Sequence, residues 1–233
     1  MLMQTRRMIT ACFSPLVMFL TYAFELCAAL WLLLRYKLSF TGGLLIAILI
    51  NLAVFQLAEW NICDNNAAQI WVRIGFIATA LLIPLGFILV DNLFSTPRSR
   101  VLIALSGVGA LGFITWFGVV PESVQMIYCG GNYALYHIAE SGVALYAAYY
   151  YGFLSLAIWV MMASMSAMKQ SKKRQAMGWL AVGYLSFMVP TLTVSIVNPQ
   201  AMRGIPSILC GFAVFFALII VWQIAPLVLV RRK

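Results

Sequence analysis

The chain alternates long apolar runs with short polar turns. Seven runs approach or exceed the roughly 20 residues that a helix needs to cross a bilayer. They cover 9–34, 40–62, 69–95, 100–120, 140–168, 175–197 and 204–229. None shows the strict alternation of a membrane barrel strand. Hydrocarbon offers no partner to a bare N–H or C=O, so runs of this length close their backbone bonds internally, as helices. The predicted architecture is all-α: one polytopic membrane domain over 1–233 with seven transmembrane helices. Most connections are short, which makes consecutive helices antiparallel neighbours. The longest, 121–139, is expected to be a loop and contains Gly130–Gly131. Pro84, Pro190 and Pro226 fall inside predicted helices. Each frees a backbone carbonyl that a neighbouring helix can satisfy. Pro199 and Pro206 mark helix ends.

Composition rules out a soluble reading. The 233 residues are 64% hydrophobic and 9% charged, against roughly 25% charged in soluble domains. The net charge of +9 would suggest nucleic acid in a soluble protein. Here the basic residues sit in the turns and form no face to lie along a duplex, so no nucleic-acid partner is expected. Their distribution orients the bundle instead. Arg35, Lys37, Arg98, Arg100, Lys169, Lys172, Lys173, Arg174, Arg231, Arg232 and Lys233 fall on one side. Arg6, Arg7, Arg73 and Arg203 fall on the other. The richer side is expected to be cytoplasmic. The N-terminus is then outside, the C-terminus is in the cytoplasm, and the setting is a multi-pass position in the cytoplasmic (inner) membrane. The first run follows Arg6 and Arg7 as a signal peptide would. It lacks a small-residue cleavage site and reads as a retained helix.

Ionisable groups inside apolar helices each need a reason. Glu59 closes the second helix and Arg73 opens the third, at similar depth across a short turn. They read as a contact for a ligand or ion, or as a structural pair. Glu25 lies deep in the first helix. It reads as a buried acid: a proton or cation site, or a neutral carboxylic acid bonded between helices. Asp91 lies near Arg98 and Arg100 and is expected to form an interfacial charge pair.

Polar side chains favour the outer half. Thr191, Ser195 and Asn198 share one face of the sixth helix by their spacing, and Gln56, Glu59 and Cys63 share one face of the second. Tyr146, Tyr149 and Tyr150 crowd the fifth helix near His137 and Glu140. Turned inward, these faces would line a ligand cavity open to the outside. Turned to one another or to the interface, they would join helices and form an aromatic belt. The candidate ligand-binding set is Gln56, Glu59, Arg73, Tyr146, Tyr149, Thr191, Ser195 and Asn198. Cys63 and Cys129 fall in two outer loops, where an oxidising exterior permits a disulfide. Cys12, Cys27 and Cys210 read as ordinary apolar helix residues.

No catalytic constellation emerges. One histidine, His137, cannot supply a metal site of several imidazoles, and no metal or cofactor is expected. The last helix lacks the lysine of a retinal Schiff base. Ser106-Gly107 has no in-membrane histidine to activate it. No phosphate-binding or dinucleotide fingerprint occurs. The single Pro199-Gln200 lacks the repeat of a small sugar transporter.

The order of features resembles the seven-helix membrane sensor region at the N-terminus of some bacterial histidine kinases. The likeness rests on NLAVFQLAEW (51–60), then WVRIGFIATALLIPLGFILV (71–90), with an acid closing the second helix, Trp-x-Arg opening the third and a proline midway. YAAYYYGF (146–153) and KKRQAMGWLAVGYL (172–185) extend it. The resemblance implies an outside-to-inside sensor whose seventh helix passes a signal to a cytoplasmic output domain. The expected function is a receptor-like or regulatory membrane protein that binds a small or amphipathic ligand from outside. This chain ends at Arg231-Arg232-Lys233, so a protein partner is expected to supply the cytoplasmic output. A structural or assembly subunit of a larger membrane complex and a small-solute transporter are the competing expectations.

Overall fold

A computed structural model describes residues 15–62, 68–129, 134–197 and 205–232. The helices are α1 (Pro15–Arg35), α2 (Phe40–Asn61), α3 (Ala68–Leu93), α4 (Pro97–Val119), α5 (Glu140–Ala167), α6 (Ser171–Val197), α7 (Ile205–Leu218) and α8 (Ala225–Val228). A π-helical segment, Ile219–Ile224, joins the last two. Helices α1 to α6 each contain a stretch long and apolar enough to cross a bilayer. Their outward faces are apolar as well. Val108, Leu111 and Val119 of α4 and Leu145 of α5 are all more than 60% exposed. Such a surface belongs in lipid, and the chain is a multi-pass helical membrane protein.

Local chemistry sets the helix ends. Ser39 caps α2 by accepting from Gly42 N at 3.1 Å. Helix α4 starts at Pro97, three residues before the expected position, because Thr96 and Ser99 form a reciprocal capping box. Proline at the first helical position gives up an N–H that has no acceptor there. Helix α6 likewise starts early, at Ser171, and takes Lys172, Lys173 and Arg174 into its first turn.

The last rod departs from a plain helix. Pro226 has no N–H for Trp222 O, and the preceding turns widen so that Ala225 N reaches Ile220 O. The backbone stays right-handed through both junctions. Beyond α8, Lys37 N donates to Val230 O at 2.8 Å and Arg232 N to Arg35 O at 2.9 Å. This bridge between Tyr36 and Arg231 ties the chain's last segment to the α1–α2 turn.

Helix α2 packs between α1 and α3, and α3 also meets α4, α5 and α6. Helix α6 joins α5 to the last rod, which returns against α1 and α2. The core runs the length of α2 and α3, through Leu45, Ile48, Leu49, Leu52, Ala80, Phe87 and Leu89. Two amide pins hold this central pair. Asn51 Nδ2 donates to Ala78 O at 2.8 Å, and Asn92 Nδ2 to Thr41 Oγ1 at 2.6 Å.

The 121–139 connection differs from its expected form. It contains an antiparallel hairpin, β1 (Val124–Cys129) and β2 (Ala134–Ile138), with an irregularity between Met126 and Tyr128. Gly-Gly between two runs rich in β-branched and aromatic residues was the signal available for it. The hairpin closes one end of the bundle, and β1 rests on α3. The basic turns gather at the other end.

Candidate functional site

The hairpin is held by side chains from α2 and α3. Glu59, 4% exposed, accepts from Tyr136 Oη at 2.6 Å. Gln69 Nε2 donates to Val124 O at 2.6 Å. Arg73 donates to Gly118 O, Val120 O and Pro121 O at 3.3, 3.4 and 2.9 Å. These carbonyls lie at the C-terminal end of α4, past its last i→i+4 bond, where a cation is favoured; Val120 O also accepts from Ser123 N and Ser123 Oγ. Glu59 and Arg73 thus both serve the architecture of this end, one on the hairpin and one on α4.

The tyrosines of α5 reach other helices. Tyr146 Oη lies 2.6 Å from Thr79 Oγ1, which also lies 2.9 Å from Phe76 O. Tyr149 Oη donates to Ala80 O at 2.9 Å, with Ser106 O at 3.2 Å sharing the same proton. Pro84 explains the first acceptor. It has no N–H to return to Ala80 O, four residues earlier, so that carbonyl is free to take the phenol. Aromatic rings fill the space between. Phe113 sits 5.1 Å from the Tyr146 ring and 5.0 Å from Tyr149, and Phe76 sits 5.7 Å from Tyr136 and 5.6 Å from Tyr146.

The other predicted residues distribute differently. Gln56 is fully buried in α2. Thr191 is fully buried and donates within α6, to Phe187 O at 2.9 Å. Ser195 lies in α6 with its side chain outside the described set, and Asn198 and Cys63 lie outside the described residues. Cys129 ends β1, but its side chain is also outside that set, so the Cys63–Cys129 bond falls beyond what the structure describes. Asp91, expected beside Arg98 and Arg100, accepts from Ser99 Oγ at 2.5 Å. The capping box has already turned that hydroxyl toward the end of α3. Arg98 instead lies over the Trp159 ring at 5.6 Å, and Arg100 donates to Ser95 Oγ at 3.2 Å.

A groove of about 660 Å³ lies between α4 and α5. Its walls are Gly109, Gly112, Phe113 and Trp116 on one side and Ser141, Gly142, Leu145, Ala148, Tyr149 and Phe153 on the other. Glycines shape it. The Trp116 ring lies where a side chain on Gly142 would go, and the Tyr149 ring lies where one on Gly109 would go. Nothing lies within 4 Å of a Cβ placed on Gly112, so the groove is open there. It runs along α5 from Ser141 at the hairpin end to Phe153, about 18 Å at the helical rise. The lining is apolar apart from Ser141 at its hairpin end, the Trp116 indole N–H and the Tyr149 phenol, whose proton is engaged. Among the predicted ligand residues, Tyr149 alone lines it. The others that line it, Ser141 apart, are glycine, alanine and largely apolar side chains, which a search for buried polarity passes over.

Among the described residues, no three His, Cys, Asp or Glu side chains gather as a metal site would require. Neither the family models nor the curated proteins compared with this chain match it, so the functional reading rests on the groove and the elements around it.

Proposed function

We propose that this chain is a receptor-like membrane protein that takes an amphipathic ligand into the α4–α5 groove. The groove carries the reading. Its volume falls within the roughly 300–1,000 Å³ of small-molecule sites, and an apolar lining with few polar groups is usual for them. The polar end at Ser141 suits a headgroup. The apolar wall down to Phe153 suits a chain. Entry from the bilayer needs no aqueous path.

The same reading places seven spans in the cytoplasmic membrane, with the N-terminus outside and the basic end inside. The continuous rod from α7 to α8 supplies the seventh span, and the crowding of lysine and arginine at one end favours this direction. Occupancy of the groove would shift α5, whose far half carries Trp159 beneath Arg98. That contact sits at the basic end, where a separate protein would supply the output.

Photo-crosslinking tests the reading. A single-chain amphiphile with a diazirine in its tail should label peptides containing Phe113, Leu145 and Phe153. Gly112→Trp should abolish that labelling by filling the groove at its open position. Equal labelling of every lipid-facing helix, unchanged by Gly112→Trp, would mean that the groove holds only bulk lipid.

A further inference from the structure

A second feature is independent of the groove. One face of α1 carries Met18, Thr21, Glu25, Ala28 and Leu32, continued by Tyr36 just past its end, all buried and spaced three or four residues apart. This stripe faces the bundle, where α1 packs against α2 and α7. Glu25 is 0% exposed, and among the described residues neither carboxyl oxygen has a hydrogen-bond partner. It lies eleven residues before Tyr36, about 16 Å along the axis, well away from the basic end. Eleven residues before Arg231, across the Tyr36–Arg231 bridge, is Ile220 in the π-helical segment.

No charge on the packed elements answers this carboxyl. The one ionisable side chain of α2 is Glu59, held at the hairpin end by Tyr136. Helices α7 and α8 and the π-helical segment carry no charged residue, and their one titratable group is Cys210. On α1 itself, Cys27 is exposed, Tyr22 lies off the stripe, and Arg35 lies at the basic end. An isolated carboxylate in a low-dielectric core is among the costliest groups to keep charged. With no cationic side chain beside it among the described residues, the charge is left to be cancelled by something drawn from solution. One carboxylate balances a single positive charge; a divalent ion would call for further acids, and no cluster of them is available among the described residues.

The geometry points to Glu25 as a binding site for one monovalent cation, a proton or a sodium ion, in the contact of α1 with α2 and α7. Thr21 stands one turn away on the same face. Its hydroxyl donates to Val17 O at 2.8 Å, which leaves its oxygen lone pairs available to a metal cation. Loss of the cation exposes a bare charge at this contact and favours its opening toward water. The end of α1 is bonded through Arg35 and Lys37 to Arg232 and Val230. Opening would therefore reach the chain's last segment directly.

Infrared spectroscopy and thermal unfolding of the full chain in lipid nanodiscs separate the two cations. In choline buffer near neutral pH, the wild type should show a carboxylic-acid C=O band that disappears in Glu25→Gln and survives in Glu59→Gln. A band unchanged by sodium identifies the proton as occupant. A band lost on adding sodium, with a higher unfolding temperature, identifies sodium exchange at the site. Should Glu25→Gln fail to assemble, Glu25→Asp serves in its place and should shift the band. A wild type with no such band and no sodium response overturns the assignment, as does a band unaltered in both Glu25 variants. Amphiphile labelling of the groove does not enter this test, so either conclusion can fail alone.

Discussion

Tyr149 donates its phenolic proton to the carbonyl of Ala80, 2.9 Å away, and Ala80 is the residue whose helical partner Pro84 removes. A proline in α3 and a tyrosine in α5, 65 residues apart in the chain, thus complete one another. The bond also fixes the ring that walls the groove on its α5 side. Interhelical bonds of this kind average about 0.6 kcal/mol in membranes. Tyr149→Phe should lower stability by about that amount in the wild type. Combined with Pro84→Ala, which restores an N–H for Ala80 O, the same change should cost measurably less. A double-mutant cycle on thermal unfolding reads the coupling. Strictly additive effects would show that the proline and the phenol are unrelated.

The Tyr136–Glu59 bond fastens the hairpin to α2. Tyr136→Phe removes the donor and should destabilise the protein by about 1–2 kcal/mol. Limited proteolysis is the more specific measurement. Cleavage within 121–139 should accelerate several-fold in the variant, while cleavage at the basic turns stays at the wild-type rate.

Arg73 gathers three carbonyls beyond the last full turn of α4 with one planar fork. Lysine keeps the charge but not the fork. Arg73→Lys should therefore cost about 1 kcal/mol and speed amide exchange over 119–123. Wild-type exchange in that window would show that the charge alone suffices.

Glycines should divide by their neighbours. At Gly142 and Gly183, a new Cβ collides with the rings of Trp116 and Phe216. Alanine there should cost about 1–3 kcal/mol through overpacking. At Gly43 and Gly107, nothing lies within 4 Å. Alanine there should be neutral, or stabilising by up to about 1 kcal/mol through lower backbone entropy in the unfolded chain. Unfolding temperatures of the four variants test the ranking.

The bridge between Tyr36 and Arg231 predicts the effect of shortening the chain. Removal of residues 230–233 takes away Val230 O, the acceptor of Lys37 N at 2.8 Å. Amide exchange at Lys37 should rise at least tenfold, with the hairpin end unaffected. Unchanged protection at Lys37 would mean that the bridge does not form in the membrane.

Length and hydrophobicity alone determined the helices of this protein. In lipid, every backbone group must be satisfied within its own segment, so an apolar run states its own structure. The described boundaries of α2 to α6 fall within about four residues of those read from the runs, the expected start of the first helix lies outside the described residues, and the last run is broken by the π-helical segment. The shift at α4 came from Thr96, Pro97 and Ser99, a local signal already present in the chain. The partners of the polar side chains were not legible in the same way. Helical spacing shows which face Tyr149, Glu59 or Arg73 occupies, but not which of several neighbouring helices that face meets. Ala80 O, Tyr136 and the end of α4 became their partners only when α2 through α5 and the hairpin came together. The groove was least visible of all, because it is made by side chains that are absent, at Gly109, Gly112 and Gly142. A missing side chain becomes a cavity only once the opposite wall is in place. Glu25 spans both levels. Its depth within an apolar run marked it as a buried acid, and the packing of α1 on α2 and α7 decided that no charge on those helices would meet it.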